Sequence, residues 1–376
     1  MRRILSIILI LTMIISMFAL GGVYASNNQV KQEYLVEFEG QADKGLFKAF
    51  GVTDDDILNT FNLLPVVHLR LTEQQAAALS KNPHIKALEL NGKVQKLEQT
   101  VPWGIERIQA TTAQQAGYTG TGVKIAILDT GIDNTHEDLN VKGGYSVFTD
   151  SANSDPFKDG DGHGTHVAGT VAALNNTIGV IGVAYNVDLY AVKVLDNTGS
   201  GSYAGIAQGI EWAINNGMNI INMSLGGSQS SSILENWCNL ANNSGLLLVA
   251  AAGNSGRFNG KGDTVGYPAK YASVMAVAAT DSNNKRASFS STGPAVEIAA
   301  PGVGILSTTP NNTYSSYNGT SMASPHVAGA AAVLWSTNRN LTNNQVRQKL
   351  KDTALPLGDA NHYGAGLVQL MNAIQQ

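Results

Sequence analysis

Cysteine is almost missing from this chain: Cys238 is the only one in 376 residues. No internal disulfide can form, so stability has to come from packing or bound ions. There is no excess of charge of either sign. Lys and Arg number 24 against 28 Asp and Glu, the formal net charge is -4 and the pI is near 6.0, which gives no electrostatic case for nucleic acid. No repeat or low-complexity tract is present. His163 and His166 form an i, i+3 pair, but no H-E-x-x-H spacing or second ligand cluster accompanies them, so a zinc centre is not indicated. Long apolar runs are scarce as well. The one at Ile4 to Leu20 follows Met1-Arg2-Arg3 and precedes Val23-Tyr24-Ala25, the charged, apolar and small-residue parts of a secretory leader. It is short for a membrane span, and cleavage is expected after Ala25, leaving a secreted, extracellular protein with no membrane segment.

What remains is 43% hydrophobic and rich in glycine, enough for one large α/β domain and a smaller unit. From Lys31 to about Leu97 charge rises and glycine thins out. Tyr34–Phe38, Val66–Leu71 and Ile85–Leu90 alternate as strands, and Thr72-Glu73-Gln74-Gln75 opens a helix in the manner of a capping box. Beyond Val101-Pro102-Trp103 the pattern becomes strand, helix, strand. Val123–Leu128, Ala191–Leu195, Ile220–Met223 and Leu246–Ala251 are short apolar runs that suit a parallel sheet buried on both faces. Ile206, Ile210, Ala213 and Ile214 recur with helical spacing and supply a crossover. Cys238 reads as a small buried hydrophobe in a helix from Ile233 to Leu240.

The densest stretch is Asn318-Gly319-Thr320-Ser321-Met322-Ala323-Ser324-Pro325-His326-Val327-Ala328-Gly329, running on to Trp335. A helix that is small or apolar all round sits inside a large domain. Ser321 then lies at its N-terminal mouth, where free N–H groups and the positive end of the dipole favour an oxyanion. Strand carboxyl ends gather functional groups in such sheets. That rule places Asp129, after the strand ending at Leu128, and Asn254, after the strand ending at Ala251, beside His163 of Asp159-Gly160-Asp161-Gly162-His163-Gly164-Thr165-His166-Val167-Ala168-Gly169. Taken singly, Asp129 reads as a turn cap and Ser321 as a helix N-cap. The G-x-S-x-G elbow of α/β-hydrolases is excluded, because Gly319-Thr320-Ser321-Met322-Ala323 lacks its second glycine.

Asp129-Thr130-Gly131, His163-Gly164-Thr165-His166 and Gly319-Thr320-Ser321-Met322-Ala323, in that order, resemble the three active-site motifs of the subtilisin-type serine proteases. The likeness runs from Gln99 to the C-terminus and includes Asn222-Met223-Ser224-Leu225-Gly226-Gly227 and Ala252-Gly253-Asn254. It implies a subtilisin-like three-layer α/β/α fold with a mostly parallel central sheet over 98–376, preceded by a small α+β (ferredoxin-like) propeptide at 26–97. The implied activity is a broad serine endopeptidase acting through an acyl-enzyme. Ser321 would be the nucleophile, His163 the base, Asp129 its orienting carboxylate, and Asn254 with the Ser321 N–H the oxyanion donors, with Thr320 a further hydroxyl near them. Because His163 must be neutral to act, activity should fall as pH drops through roughly 6 to 7. His166 and His326 read as core histidines, and Met322 as an oxidation target beside the nucleophile.

The resemblance also assigns the substrate groove. A peptide would lie as an added strand between Gly199-Ser200-Gly201 and Ser224-Leu225-Gly226. The primary pocket would be walled by Ser224, Leu225, Gly226, Ala251, Ala252 and Gly253, with Gly266 at its base. Tyr203, Ile206 and Leu225 would form a second apolar pocket. Ser255 stands where some relatives carry an acid, so large apolar side chains are preferred to basic ones. Calcium is implied at Gln99, Asp138, Asn176 and the carbonyls of Leu174, Ile178 and Val180. A second site at Ala269, Tyr271 and Val274 is disfavoured by Ala295, which replaces a carboxylate, although Glu297 is near. Asp150, Asp155, Asp159 and Asp161 could hold another ion or form a solvated acidic loop, and the loop is favoured. The N-terminal unit would template folding and inhibit, with Val94 and Leu97 offered to the two pockets and self-cleavage near Leu97-Glu98. The partners implied are protein and peptide substrates and the chain's own propeptide, and the mature enzyme is expected to be a monomer. A catalytically silent peptide-binding protein is the rival, disfavoured by the intact quartet Asp129, His163, Asn254 and Ser321.

Overall fold

The computed structural model describes residues 30–92 and 98–376, so the leader at 1–25 and both Val94 and Leu97 lie outside the described residues. The chain forms two compact units, one within residues 1–96 and one within 97–376.

The first unit runs β1 (Gln32–Phe38), α1 (Lys44–Ala49), β2 (Ile57–Thr60), β3 (Val66–Leu71), α2 (Glu73–Leu79) and β4 (Ile85–Leu90). Its strands pair antiparallel in the order β2-β3-β1-β4. Strict alternation turns Val36, Phe38, Val67, Leu69 and Leu71 inward, onto Phe47 of α1 and Leu79 of α2. The capping box is real: Gln75 N donates to Thr72 Oγ1 at 3.2 Å and Thr72 N to Gln75 Oε1 at 2.9 Å. This is the small α+β unit expected.

The second unit is built on seven parallel strands: β5 (Lys124–Asp129), β6 (Val141–Ser146), β7 (Asp188–Lys193), β8 (Ile220–Met223), β9 (Leu247–Ala251), β10 (Val274–Thr280) and β11 (Val296–Pro301). Their order is β11-β10-β9-β8-β5-β7-β6. Odd and even residues go to opposite faces. Ile125 and Ile127 pack with α3 (His163–Ala172) and the long helix α6 (Thr320–Thr337), whereas Ala126 and Leu128 pack with α4 (Tyr203–Asn215) and α5 (Ser232–Asn243). The result is a three-layer α/β/α sandwich. A short antiparallel hairpin, β12 (Ile305–Thr309) and β13 (Thr313–Tyr317), lies outside the sheet.

Three sheet strands escape the sequence pattern. β6 contains Gly143 and Gly144, and β10 and β11 draw on alanine, which carries little strand signal of its own. The strand order reverses at β5, whose neighbours are β7 and β8, and such a switch opens a crevice beyond the carboxyl ends of the strands. β5 ends on Asp129 and β8 stops one residue before Ser224.

Candidate active site

Asp129 is buried at the end of β5, and its Oδ1 accepts from its neighbour's backbone, Thr130 N, at 2.8 Å and lies 2.7 Å from His163 Nδ1. Oδ2 is buried with no partner among the described residues. Burial pulls the imidazole pKa of His163 down, but the charge of Asp129 and the hydrogen bond to it pull harder the other way, with Asp161 and Asp159 adding, so the net value is raised. The ring is thereby fixed with Nδ1–H toward Asp129 and Nε2 free to take a proton.

The acidic loop is not simply solvated, which corrects one expectation. Asp159 is buried. Its Oδ1 accepts from Thr130 Oγ1 at 2.7 Å and Gly162 N at 2.8 Å, and its Oδ2 from Thr165 N at 2.8 Å and Thr165 Oγ1 at 2.6 Å. A carboxylate thus satisfies the free N–H groups at the start of α3, the helix that begins on His163. Thr130 Oγ1 in turn accepts from Gly164 N at 2.9 Å, which ties that helix to the strand end carrying Asp129. The approach is close: a Cβ on Gly164 would lie 2.1 Å from the Gly131 carbonyl oxygen. Lys193, fully buried opposite Asp129 in β7, completes the brace by donating to the Thr130 carbonyl and, at 3.0 Å, to Asn197 Oδ1. Burial lowers the pKa of Lys193 against the raising charges of Asp159, Asp196, Asp129 and Asp161. Neither Asp159 nor Lys193 announces itself in the sequence as part of this brace.

Ser321 is the second residue of α6, which starts at Thr320. Its N–H has no acceptor among the described residues, and its Oγ donates to the Ser224 carbonyl at 3.1 Å and not to His163. Asn254 is exposed after β9, and its amide is aimed by Thr320: Asn254 Oδ1 accepts from Thr320 N and Thr320 Oγ1, each at 3.0 Å. Asn254 Nδ2 is left toward the cleft. Thr320 is buried and also accepts from Gly253 N at 3.0 Å, so its hydroxyl is spent on Asn254 and Gly253 and is not presented to a substrate.

Two adjoining cavities share the wall Leu225-Gly226-Gly227. One, about 310 Å³, holds His163, Asp161, Gly199, Gly201, Tyr203, Ile206 and Ser224. The other, about 520 Å³, holds Ser321, Asn254, Ala251, Gly253 and Gly266. Asp263, Tyr267 and Lys270 line it too, with Lys270 Nζ 2.7 Å from Asp263 Oδ2. Of the expected substrate-binding residues, Ala252 and Ser200 line neither cavity. Ala252 is fully buried in the core beneath β9, and Ser200 is exposed in a turn closed on Asp196. Met322, next to Ser321, is buried, and Cys238 is buried with its thiol pKa pushed up to about 12 by burial, so it is inert.

Similarity to other proteins agrees with this geometry. Residues 120–366 match the subtilase family. The chain belongs to that family. It is 51% identical to the thermostable alkaline protease of Halalkalibacterium halodurans over 93% of this chain and 94% of that protein. It is 51% identical to the alkaline elastase YaB of a Bacillus species, over 90% and 88%, and 52% identical to subtilisin E of Bacillus subtilis, over 81% and 79%. The protein is a subtilisin-type serine endopeptidase.

In this subtilase the loop after α3 forms a ring of oxygens. Gln99 Nε2 lies within 3.3 Å of the Leu174, Ile178 and Val180 carbonyls and of Asn176 Oδ1. An amide has two hydrogens for these four acceptors. Asp138, fully buried beside them, accepts from Asn176 Nδ2 at 2.8 Å and Val180 N at 2.9 Å. Burial raises its pKa, partly offset by those bonds, by the charge of His136 and by Tyr314, and none of the Lys or Arg ion pairs among the described residues involves it. Crowded carbonyls around one buried carboxylate are the donor set of a hard cation. The second site, already disfavoured by Ala295, is no better a fit. The guanidinium of Arg347 chelates Glu297 and donates to the Val274 carbonyl at 3.2 Å and to the neighbouring Ala272 carbonyl at 3.0 Å, so a side-chain cation already serves the nearby carboxylate and one of the three carbonyls.

Proposed function

We propose that this subtilase is made as a secreted zymogen and matures to a calcium-stabilised endopeptidase that cleaves extended protein segments with an apolar preference on the acyl side. The observation that carries the reading is the convergence at one crevice of a carboxylate-bound imidazole, Asp129–His163, with two unused N–H donors, on Ser321 and Asn254. In the reaction His163 Nε2 takes the Ser321 proton as Oγ leaves the Ser224 carbonyl and attacks the scissile carbonyl. Free enzymes commonly hold such catalytic bonds loosely and tighten them on substrate. Asn254 Nδ2–H and the Ser321 N–H receive the oxyanion, and Asp129 stabilises the imidazolium, which then protonates the leaving amine.

Substrate is bound along Gly199-Ser200-Gly201 and Ser224-Leu225-Gly226 through backbone pairing, which demands little of sequence. The cavity beside Ser321 takes the residue before the scissile bond. Its charged lining groups, Asp263 and Lys270, neutralise each other, which supports apolar occupants. A hard divalent cation, calcium, would be held by Gln99, Asp138, Asn176 and the Leu174, Ile178 and Val180 carbonyls, and when bound would supply positive charge beside the Asp138 carboxylate. The first unit, 26–97, is read as the propeptide, released by cleavage near Leu97-Glu98, and the mature enzyme as a monomer. Digestion of a denatured protein by the wild type, set against Ser321→Ala and His163→Ala, tests this. Fragments from the wild type alone are expected, and fragments from Ser321→Ala would overturn it.

A further inference from the structure

Pro325 lies in the second turn of α6 and has no N–H. In a regular helix its N–H would bond the carbonyl four residues back, which belongs to Ser321. That carbonyl is nevertheless satisfied: Ser224 Oγ donates to it at 2.8 Å. A carbonyl can only accept, so the single Ser224 proton is committed there. Ser224 Oγ then accepts from Asn222 Nδ2 at 3.0 Å and from Ser324 Oγ at 2.8 Å, which fills its hydrogen-bonding capacity. Asn222, Ser224 and Ser324 are all buried, so water does not compete. The bond is also reciprocated, since Ser321 Oγ donates to the Ser224 carbonyl.

We propose that Ser224 is a positioning residue for the nucleophile, its hydroxyl taking the place of the helix N–H that Pro325 lacks. The helix that carries Ser321 is thereby fastened to the strand end that carries the substrate edge. One exchange of hydrogen bonds, proline N–H for serine O–H, links the nucleophile to the edge along which peptide is laid. This rests on Ser321 being the nucleophile. An unpaired buried carbonyl at the nucleophile itself would let the turn shift, and small misplacements there cost rate more than binding.

The test is a double-mutant cycle on the purified enzyme, with functional sites counted by titration with a serine-directed reagent so that poorly folded material does not enter the rate. Ser224→Ala should lower kcat roughly ten- to a hundredfold with KM little changed. Pro325→Ala returns an N–H to the Ser321 carbonyl, so in that background Ser224→Ala should cost kcat far less. Ser224→Ala with wild-type kcat, or an equal loss in both backgrounds, would overturn the proposal. Should Ser224→Ala fail to fold alone, recovery of titratable sites in the Pro325→Ala double variant supports it and their absence contradicts it. Residual activity in Ser321→Ala would instead remove the nucleophile assignment itself.

Discussion

Asp129 Oδ1 lies 2.7 Å from His163 Nδ1, with its partner oxygen buried and unshared among the described residues. The carboxylate stabilises the protonated ring, so the pKa of His163 is raised above its ordinary 6.5 despite burial. The proposed base must be neutral to act, so activity is expected to be lost as pH falls through this raised value. The acid limb of kcat/KM is therefore expected above the window of roughly 6 to 7 that an unperturbed imidazole gives. Asp129→Asn should move that limb to lower pH and reduce kcat by roughly four orders of magnitude, the size measured in a subtilisin for loss of this carboxylate. A limb at or below about 6 in the wild type would contradict the pairing.

Asn254 has its Oδ1 fixed by two bonds from Thr320, which leaves Nδ2 free for the proposed oxyanion contact. Asn254→Ala is expected to lower kcat by roughly 10²–10³ with little change in KM, again the size measured in this family. Thr320→Val keeps the shape but removes the hydroxyl that aims the amide, so steady-state kinetics should show a smaller fall in the same parameter. A change confined to KM would argue against an oxyanion role.

How much of this is legible in the sequence depends on where the signal is local. β9 is an unbroken apolar run, its neighbour β8 is interrupted only by Asn222, and Ser321 opens a long small-and-apolar stretch, so all three are readable. Asp159 is not, because an aspartate among glycines looks solvated until the fold brings Thr130 and Thr165 onto its oxygens. Lys193 lies inside a run that reads as strand, but its burial opposite Asp129 depends on β5 and β7 pairing in register. Ala252 and Ser200 escape for a similar reason: the chain passes the groove at both, yet one side chain turns into the core and the other into a turn.

Lys270 and Asp263 form an ion pair in the wall of the cavity that holds Ser321. Lys270→Met leaves the carboxylate uncompensated there. Cleavage after Lys and Arg, relative to Phe, should rise roughly five- to tenfold in peptide-library profiling, and adding Asp263→Asn should abolish the gain. An unchanged ratio would mean the pair does not face the bound side chain.

Chelation should lower the thermal midpoint, and calcium should restore it, with magnesium much less effective at so crowded a ring. At a hundredfold excess over its dissociation constant the ion contributes about 2.7 kcal/mol. Without it, the raised pKa of Asp138 makes the folded state favour the protonated acid, so the chelated protein should lose stability as pH rises through that value. Calorimetry of the Ser321→Ala protein avoids autolysis, and an Asp138→Asn variant should no longer respond to the ion.

His166 and His326 are buried, and burial lowers both pKa values to about 4, only partly offset by hydrogen bonds to backbone carbonyls. Both are neutral in the fold, whereas the unfolded chain protonates them below about 6.5. Stability should therefore decline as pH falls from about 6.5 toward 4, with the unfolded state of Ser321→Ala binding about two more protons from these groups near pH 5. Denaturant titrations that give equal stability at about pH 7 and about pH 4.5 would contradict this.

The most direct measurement is to treat the enzyme with a serine-directed organophosphorus fluoridate and locate the adduct by peptide mass spectrometry. A stoichiometric adduct on Ser321, lost in His163→Ala and formed more slowly in Asn254→Ala, is the predicted result. No adduct, or one that forms equally fast without His163, would contradict the assignment of Ser321 as a nucleophile activated by that imidazole.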